Sequence, residues 1–280
     1  MASHAVVIRR RSVIPGFGLT LGLTLTYLSL IVLIPLAVMF VKASDAGLAK
    51  IWMELSSPRT IATFRISFGT ALLAALINAV FGFIVAWVLV RYEFPGRRLF
   101  DAIIDIPFAL PTAVAGISLT TLYAENGWLG QTLAAAGVKV AFTPLGILVA
   151  LVFVGLPFVV RTVEPVLQDF DRGMEEAAAL LGAARRHILM RVVIPPLLPA
   201  LMTGFALALA RAIGEYGSVI FIAGNRPGVS EIVPLLIVIK LEQFDYAGAT
   251  VIASLMLIAS LMLLLAINLL QAWTRRRQGG

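Results

Sequence analysis

The chain has 280 residues, of which 60% are hydrophobic and only 13% are charged, and its formal net charge is +7. A soluble domain carries about 25% charged residues, so this composition is too poor in charge to cover a water-exposed surface. The mean hydropathy of +0.98 points the same way. Cysteine is absent, which excludes a disulfide framework, a thiolate nucleophile and a metal site built on cysteine.

Six hydrophobic stretches follow one another along the chain, each close to the ~20 residues that an α-helix needs to cross a bilayer. They predict an all-α integral membrane protein with one transmembrane domain over residues 1–280. The predicted spans are approximately 17–41, 66–90, 101–124, 144–163, 197–222 and 247–271. The first is too long for the apolar part of a cleaved signal peptide, so we interpret it as a retained helix.

The third span contains features that a regular helix tolerates poorly. Pro107 and Pro111 lie within it and predict a bend, because proline frees backbone carbonyls in the preceding turn. Asp101 and Asp105 lie at its start. We interpret these two carboxylates as helix-start positions near the membrane interface and not as transport residues.

The distribution of positive charge predicts the orientation. Six spans put both termini on one side, together with the loops after the second and fourth spans. That side carries fourteen arginines, including those at 9–11 and 275–277, against seven lysines and arginines on the other side. The positive-inside rule then predicts a multi-pass membrane protein with both termini cytoplasmic. This asymmetry accounts for the pI of 10.2, so we infer no nucleic-acid partner.

The loop at 164–196, between the fourth and fifth spans, is polar and predicts two short helices. Asp171 is a suitable N-cap, and Glu175 and Glu176 follow in the first turn, where carboxylates interact favourably with the helix dipole. Gly182 can adopt the left-handed conformation that ends a helix. A second helix at 183–193 is expected to stop at the following prolines, Pro195 and Pro196.

The spacing within this loop resembles the EAA loop of ABC importer permeases. That motif is Glu-Ala-Ala, three residues, Gly, nine residues, then Ile-x-Leu-Pro. The chain matches it with Glu176, Ala177, Ala178, Gly182 and Pro195, and it places Val192 and Ile194 where the motif has Ile and Leu.

Other runs are similar to the T-type permease subunits of sulfate/thiosulfate ABC importers, which belong to the MetI-like type I family. They are residues 91–97 (RYEFPGR), 105–116 (DIPFALPTAVAG), 211–225 (RAIGEYGSVIFIAGN) and 242–246 (EQFDY). The resemblance extends over nearly the whole chain. Tyr216 stands where the family usually has Phe, which retains an aromatic ring at that position.

The resemblance implies a division of labour between subunits. This chain would pair with a W-type permease subunit in the lipid of the bacterial inner (cytoplasmic) membrane. Two copies of a cytoplasmic ATPase would supply energy, and a periplasmic sulfate/thiosulfate-binding protein would deliver the anion. No lysine in the chain follows a glycine, so a phosphate-binding loop is absent and ATP and Mg²⁺ must bind to the separate ATPase. The chain itself is expected to bind no cofactor or metal and to have no catalytic residues. The residues that the resemblance assigns to ATPase coupling are Glu175, Glu176, Ala177, Ala178, Gly182 and Pro195.

Arg211 and Glu215 are ionisable residues inside the fifth predicted span, where a charge is costly. They are four residues apart, which places them on one face of a helix. Two interpretations stay open: a mutual ion pair that serves packing, or a pair that lines the anion path or its gate.

Alternative functions follow from the same features. A molybdate or tungstate permease would share the Gly-Glu-aromatic-Gly core at 214–217. A secondary transporter would need its own coupling-ion site, for which Arg211 and Glu215 are the one strong candidate. A membrane-embedded enzyme is disfavoured, because His4 and His187 are solitary and no metal-binding histidine spacing is present.

Overall fold

The computed structural model describes the backbone of residues 17–278 and the side chains of residues 17–272. His4 and the arginines at 9–11 and 275–277 lie outside the described side chains. The described part of the chain is helical and contains no strand. Its helices, in chain order, are α1 (Phe17–Asp45), α2 (Gly47–Ser56), α3 (Pro58–Arg91), α4 (Arg97–Ile104), α5 (Ile106–Ala109), α6 (Thr112–Tyr123), α7 (Trp128–Ala135), α8 (Pro144–Gln168), α9 (Arg172–Leu180), α10 (Arg185–Ile213), α11 (Val219–Ile222), α12 (Val233–Glu242) and α13 (Tyr246–Gln278).

Five of these helices, α1, α3, α8, α10 and α13, are long and apolar enough to cross a membrane. They correspond to five of the six predicted spans. α3 is longer than predicted and begins at Pro58, because the proline at N1 has no N–H to satisfy and its φ already suits a helix. The long helices run back and forth, so the described bundle has two ends. We call them the Glu175 end, where α3 and α8 finish and α10 begins, and the Asp245 end, where α3, α8 and α13 begin.

The third predicted span is not one helix. Residues 101–124 fall into the end of α4, the single turn of α5, and α6. The chain is extended at Leu110 and Pro111, with ψ of 134° and 133°. The residue before a proline is driven out of the α region, so Pro111 explains the interruption. The number of six crossings therefore stays a prediction, since this segment is made of short pieces.

The helix in the region of the fifth predicted span, 197–222, has different ends from that span. α10 begins at Arg185 and already includes the prolines that we expected to end a helix. A π-helical turn at Leu189–Val193 precedes them, in which the N–H of Ile194 donates to the carbonyl of Leu189 five residues back. This wider turn accommodates residues that lack an N–H. At the other end α10 stops at Ile213, and a non-helical turn with Gly214 and Gly217 separates it from α11.

α3, α8 and α10 form the centre of the bundle. The face of α3 that they bury consists mainly of small residues: Ala71, Ala74, Ala75, Gly82 and Ala86. Lipid tails are as apolar as leucine side chains, so helices associate in a bilayer through close van der Waals contact, which small residues permit. The remaining helices pack around this centre, with α13 against α1 and α12, and α6 against α11.

Two glycines set how closely the central helices approach. A Cβ placed on Gly82 of α3 would lie 2.8 Å from both Cβ and Cγ1 of Val159 on α8. A Cβ on Gly204 of α10 would lie 2.8 Å from the Cα of the same Val159. Val159 is fully buried, and it therefore fills the space that both glycines leave.

We predict that Gly82→Ala lowers the thermal stability of the detergent-solubilised protein, by about 1–3 kcal/mol, because Val159 is β-branched and cannot move aside without shifting α8. Gly69→Ala is the matched control. It lies on the same helix with no atom within 4 Å of its added Cβ, so it should be neutral or should stabilise by up to about 1 kcal/mol through helix propensity. Equal melting temperatures for the two variants would contradict the proposed packing.

Candidate functional site

The predicted loop contains the helix α9, and its start is capped as expected. The backbone N–H of Gly173 donates to Asp171 Oδ1 at 2.8 Å, which satisfies one of the free donors of the first turn. Glu175 lies in that first turn, whereas Glu176 belongs to the next turn. The expectation that both carboxylates share the first turn is therefore half correct, and Glu175 interacts more favourably with the positive end of the helix dipole.

Gly182 ends α9 in a left-handed conformation, with φ of +81°. The N–H of Gly182 donates to the carbonyl of Ala179 at 2.9 Å, and that of Ala183 donates to the carbonyl of Ala178 at 3.1 Å. These two bonds define a Schellman motif, in which the residue after the helix has a positive φ that suits glycine. The structural role predicted for Gly182 is confirmed, and Ala178 supplies one of the carbonyls.

The outer end of α9 exposes apolar side chains. Leu180 and Leu181 are 90% and 89% exposed, and they directly precede the Gly182 turn. In contrast to the apolar surface of the long helices, these leucines belong to a polar loop that lies beyond the ends of α3 and α8. Two adjacent leucine side chains are therefore exposed at the outer end of this polar loop.

An ion pair that the sequence analysis did not predict fixes α9 to the bundle. Arg91, in the last turn of α3, pairs with Glu175. Its guanidinium also lies 5.1 Å from the ring centre of Trp87 and 5.8 Å from that of Phe170. The Arg91 side chain is only 9% exposed, so a charge-assisted contact and two cation–π contacts act with little competition from water. In the sequence, Arg91 contributed to the charge count and to the run at 91–97, but no local pattern shows which carboxylate it meets.

Arg211 and Glu215 do form the predicted ion pair, with 2.5 Å between Arg211 Nη1 and Glu215 Oε2. They do not share a helix face, however, because α10 ends at Ile213 and Glu215 lies in the turn beyond it. Glu215 Oε1 accepts hydrogen bonds from the backbone N–H and the hydroxyl of Ser218, both at 2.9 Å. The Glu215 side chain is 1% exposed, so the carboxylate holds this turn together as well as pairing with Arg211.

This turn meets the broken third segment. A Cβ on Gly116 of α6 would overlap the backbone of Ser218, and a Cβ on Gly217 would overlap the hydroxyl of Thr112 at the start of α6. The two places where the helical ladder is interrupted are therefore in direct contact. In membrane proteins, irregular backbone occurs where it is buried in protein or lines a cavity, so this contact is the candidate for a passage or gate.

A second charge cluster joins the third segment to α8. Arg161 of α8 donates to both carboxylate oxygens of Asp105, at 2.8 and 2.7 Å, and to Asp101 at 2.7 Å and Glu164 at 2.6 Å. Asp101 lies inside α4 and Asp105 at the junction of α4 and α5, so neither begins a long helix as we expected. Their role is to hold the short helices against α8, because a guanidinium can bind several carboxylates at once.

Comparison of the sequence with known proteins identifies a matching family and close relatives. The sequence signature of the family described as "Binding-protein-dependent transport system inner membrane component" matches residues 78–279. The "Sulfate transport system permease protein CysT" of Synechococcus elongatus is 51% identical over 256 residues, which cover 91% of this chain and 92% of that protein. The protein of the same name from Escherichia coli K12 is 46% identical over 270 residues, covering 96% and 98%.

Solved structures share the fold at low sequence identity. A chain of a bacterial ABC transporter that imports the acidic polysaccharide alginate superposes with a TM-score of 0.75 at 14% identity, covering 93% of this chain and 96% of its own. A chain of the inward-facing MetNI methionine ABC transporter gives a TM-score of 0.52 at 21% identity, covering 79% and 98%. Taken with the sequence relatives, these matches show that this chain is a member of the binding-protein-dependent transport system inner membrane component family and belongs with its CysT permeases.

Proposed function

We propose that this chain forms half of the membrane passage of an ATP-driven importer for sulfate or thiosulfate. The observation that carries the proposal is the likeness to relatives named as sulfate transport permeases, at 46–51% identity over 91% or more of the chain. The chain is a non-enzymatic membrane subunit, and ATP and Mg²⁺ would act on a separate ATPase. A W-type permease subunit, two ATPase subunits and a periplasmic binding protein complete the proposed assembly.

The loop at 164–196 is the proposed coupling element. α9 presents Leu180 and Leu181 outward beside the Gly182 turn, which suits insertion into an apolar groove of an ATPase subunit. The inner side of α9 is fixed to α3 through the ion pair of Glu175 and Arg91. A movement imposed on the loop would therefore reach the bundle through α3 as well as through α8 and α10. In this proposal the Glu175 end, together with both chain termini, faces the cytoplasm.

The passage itself offers little to hold a dianion. Arg211 supplies a cation next to the turn that follows α10, but Glu215 already neutralises it at 2.5 Å. Binding an oxyanion stably inside a bilayer requires several convergent donors or cations, because an unpaired buried charge costs many kcal/mol. The described residues near this turn do not supply them. We infer a low-affinity passage, in which the periplasmic protein selects the anion.

Uptake of radiolabelled sulfate in a bacterial strain that lacks this permease tests the proposed function. Expression of the chain should restore uptake, unlabelled sulfate and thiosulfate should compete, and molybdate should compete poorly. The purified permease–ATPase assembly without the binding protein should bind sulfate only weakly. Competition by molybdate alone would move the substrate to molybdate, and a micromolar or tighter sulfate site on the assembly would refute the low-affinity passage.

We predict that Gly182→Val uncouples transport. A β-branched residue at φ of +81° is strained by about 1 kcal/mol or more, so the Schellman turn and the direction of Leu181 should change while the membrane helices stay intact. Sulfate uptake should fall several-fold at an unchanged membrane abundance. Gly137→Val is the matched control, because Gly137 also has a positive φ, of +78°, and equally open surroundings, but it follows α7 near the Asp245 end. Wild-type uptake and ATPase association in Gly182→Val would contradict the coupling role.

We predict that substitutions of Arg211 and Glu215 distinguish an effect on membrane abundance from an effect on uptake. Arg211→Ala leaves the buried carboxylate of Glu215 without its cation and should lower membrane abundance, since breaking a buried pair is more costly than replacing both partners. Combining it with Glu215→Gln removes the charge but keeps an acceptor for Ser218, so abundance should recover. If uptake recovers as well, the pair is structural; if the abundant double variant is inactive, the pair serves the passage. Wild-type abundance and activity in Arg211→Ala would contradict both interpretations.

A further inference from the structure

The short helix α2 is amphipathic, but it exposes its apolar face and turns its charged residues toward the bundle. Leu48, Trp52 and Leu55 recur at the helical spacing of i, i+4 and i+7, and all three are exposed, with Leu48 85% and Trp52 71% accessible. The charged residues of this helix, Lys50 and Glu54, point inward instead. A helix on a water-exposed surface has the opposite arrangement, so the outer face of α2 does not face water.

The inward face is held by a closed charge cluster. Lys240 of α12 binds Glu54 at 2.5 Å and Asp245 at 3.0 Å, and Lys50 binds Asp245 at 3.1 Å. Asp245 also accepts a hydrogen bond from the N–H of Gly248, which with the two lysines lowers the pKa of its carboxyl to about 2. Two ammonium groups thus meet two carboxylates, and the cluster is neutral. No charged group of α2 remains for its outer face.

The connections of α2 fix its position at the membrane surface. α1 ends at Asp45 and α3 begins at Pro58, so Ala46 and Ser57 alone separate α2 from two helices that are long enough to span a bilayer. Gly47, with φ of +80°, makes the turn out of α1. Val38 and Val41, near the end of α1, are exposed apolar residues as well.

Further aromatic residues are exposed at the same end of the bundle. Phe244 and Tyr246 flank Asp245 in the sequence and pack edge to face, with 6.3 Å between ring centres. Both are well exposed, and Phe244 is held in a left-handed conformation with φ of +58°. Because Asp245 also binds Lys50 of α2, these rings are tied to the same charge cluster as Trp52. Tyrosine and tryptophan concentrate where a membrane meets water.

We propose that α2 is an interfacial helix, which lies in the plane of the membrane at the Asp245 end and inserts Leu48, Trp52 and Leu55 between phospholipid headgroups and acyl chains. A phospholipid surface fits the outer face better than a protein partner does. The face is a plain apolar stripe with an aromatic anchor and no charged group to set a register, which is how interfacial helices bind lipid. The inference depends on residence in a membrane and not on the anion transported, so a failed sulfate assay leaves it standing.

Fluorescence quenching of Trp52 in the assembled importer tests the proposal. Phenylalanine replaces the other three tryptophans of this chain, Trp87, Trp128 and Trp273, and the importer is reconstituted into phosphatidylcholine vesicles. The signal of an otherwise identical importer with Trp52→Phe is subtracted, so that tryptophans of the other subunits do not contribute. Lipid brominated close to the headgroup should quench Trp52 more strongly than lipid brominated in the middle of the acyl chain, and aqueous iodide should have little effect. Quenching by iodide without quenching by lipid would overturn the proposal in favour of a water-exposed face. Protection from both quenchers would overturn it in favour of a covering subunit.

A pair of substitutions provides an independent test in the otherwise unaltered complex. Trp52→Tyr keeps an amphipathic ring, so membrane abundance and heat resistance of the complex should stay close to wild type. Trp52→Asp places a charge against the lipid boundary, so abundance should fall several-fold. If both variants accumulate equally, Trp52 does not anchor α2 in lipid and the proposal fails.

Discussion

The close approach of α3, α8 and α10 is the constraint on which the rest of the structure depends. In a bilayer the hydrophobic effect does not drive one apolar helix against another. These helices are therefore held together by van der Waals contact, which requires a close approach. Gly82 and Gly204 allow this close approach, because both lie against Val159 and neither has a side chain that would displace it. Once the three helices are fixed, their ends fix the positions of the functional segments: α8 leads into α9, α9 leads into α10, and α10 ends at the turn that carries Glu215.

The second organising principle is that charges near the membrane are neutralised by long-range partners. Arg91 binds Glu175 across 84 positions of sequence, Arg161 binds Asp105 across 56, and Arg59 binds the fully buried Glu231 across 172. Each pair joins two different segments. Charge is costly at these places unless it is paired, so each of these three pairs is a specific connection between two segments.

These connections determine which surface each end of the molecule exposes. At the Glu175 end, Arg91 holds the inner side of α9 while Leu180 and Leu181 are exposed on its outer side. At the Asp245 end, the cluster of Lys50, Glu54, Lys240 and Asp245 holds α2 so that its apolar face turns outward. In the two proposals made above, the Glu175 end meets a protein partner and the Asp245 end meets the lipid surface. Between them, the interruption of the third segment meets the interruption after α10, where Glu215 secures the turn.

The sequence by itself determined the class of protein, five of its long helices, the capped start of α9 and the left-handed turn at Gly182. These follow from local properties: hydrophobic length, the capping chemistry of Asp171, and the conformational freedom of glycine at a helix end. The sequence also predicted the pair of Arg211 and Glu215 from their spacing, although they meet across a helix end and not along a helix face.

Only the tertiary structure decided the features that depend on distant neighbours. Pro195 does not end a helix, because a π-helical turn just before it absorbs the missing N–H. Residues 101–124 divide into short helices that Arg161 then holds against α8. Arg91 finds Glu175, and α2 turns its charged residues inward, because their partners lie on segments far away in the chain. Local patterns specify which elements form, whereas the pairing of charges and the fit of small residues between helices specify how those elements meet.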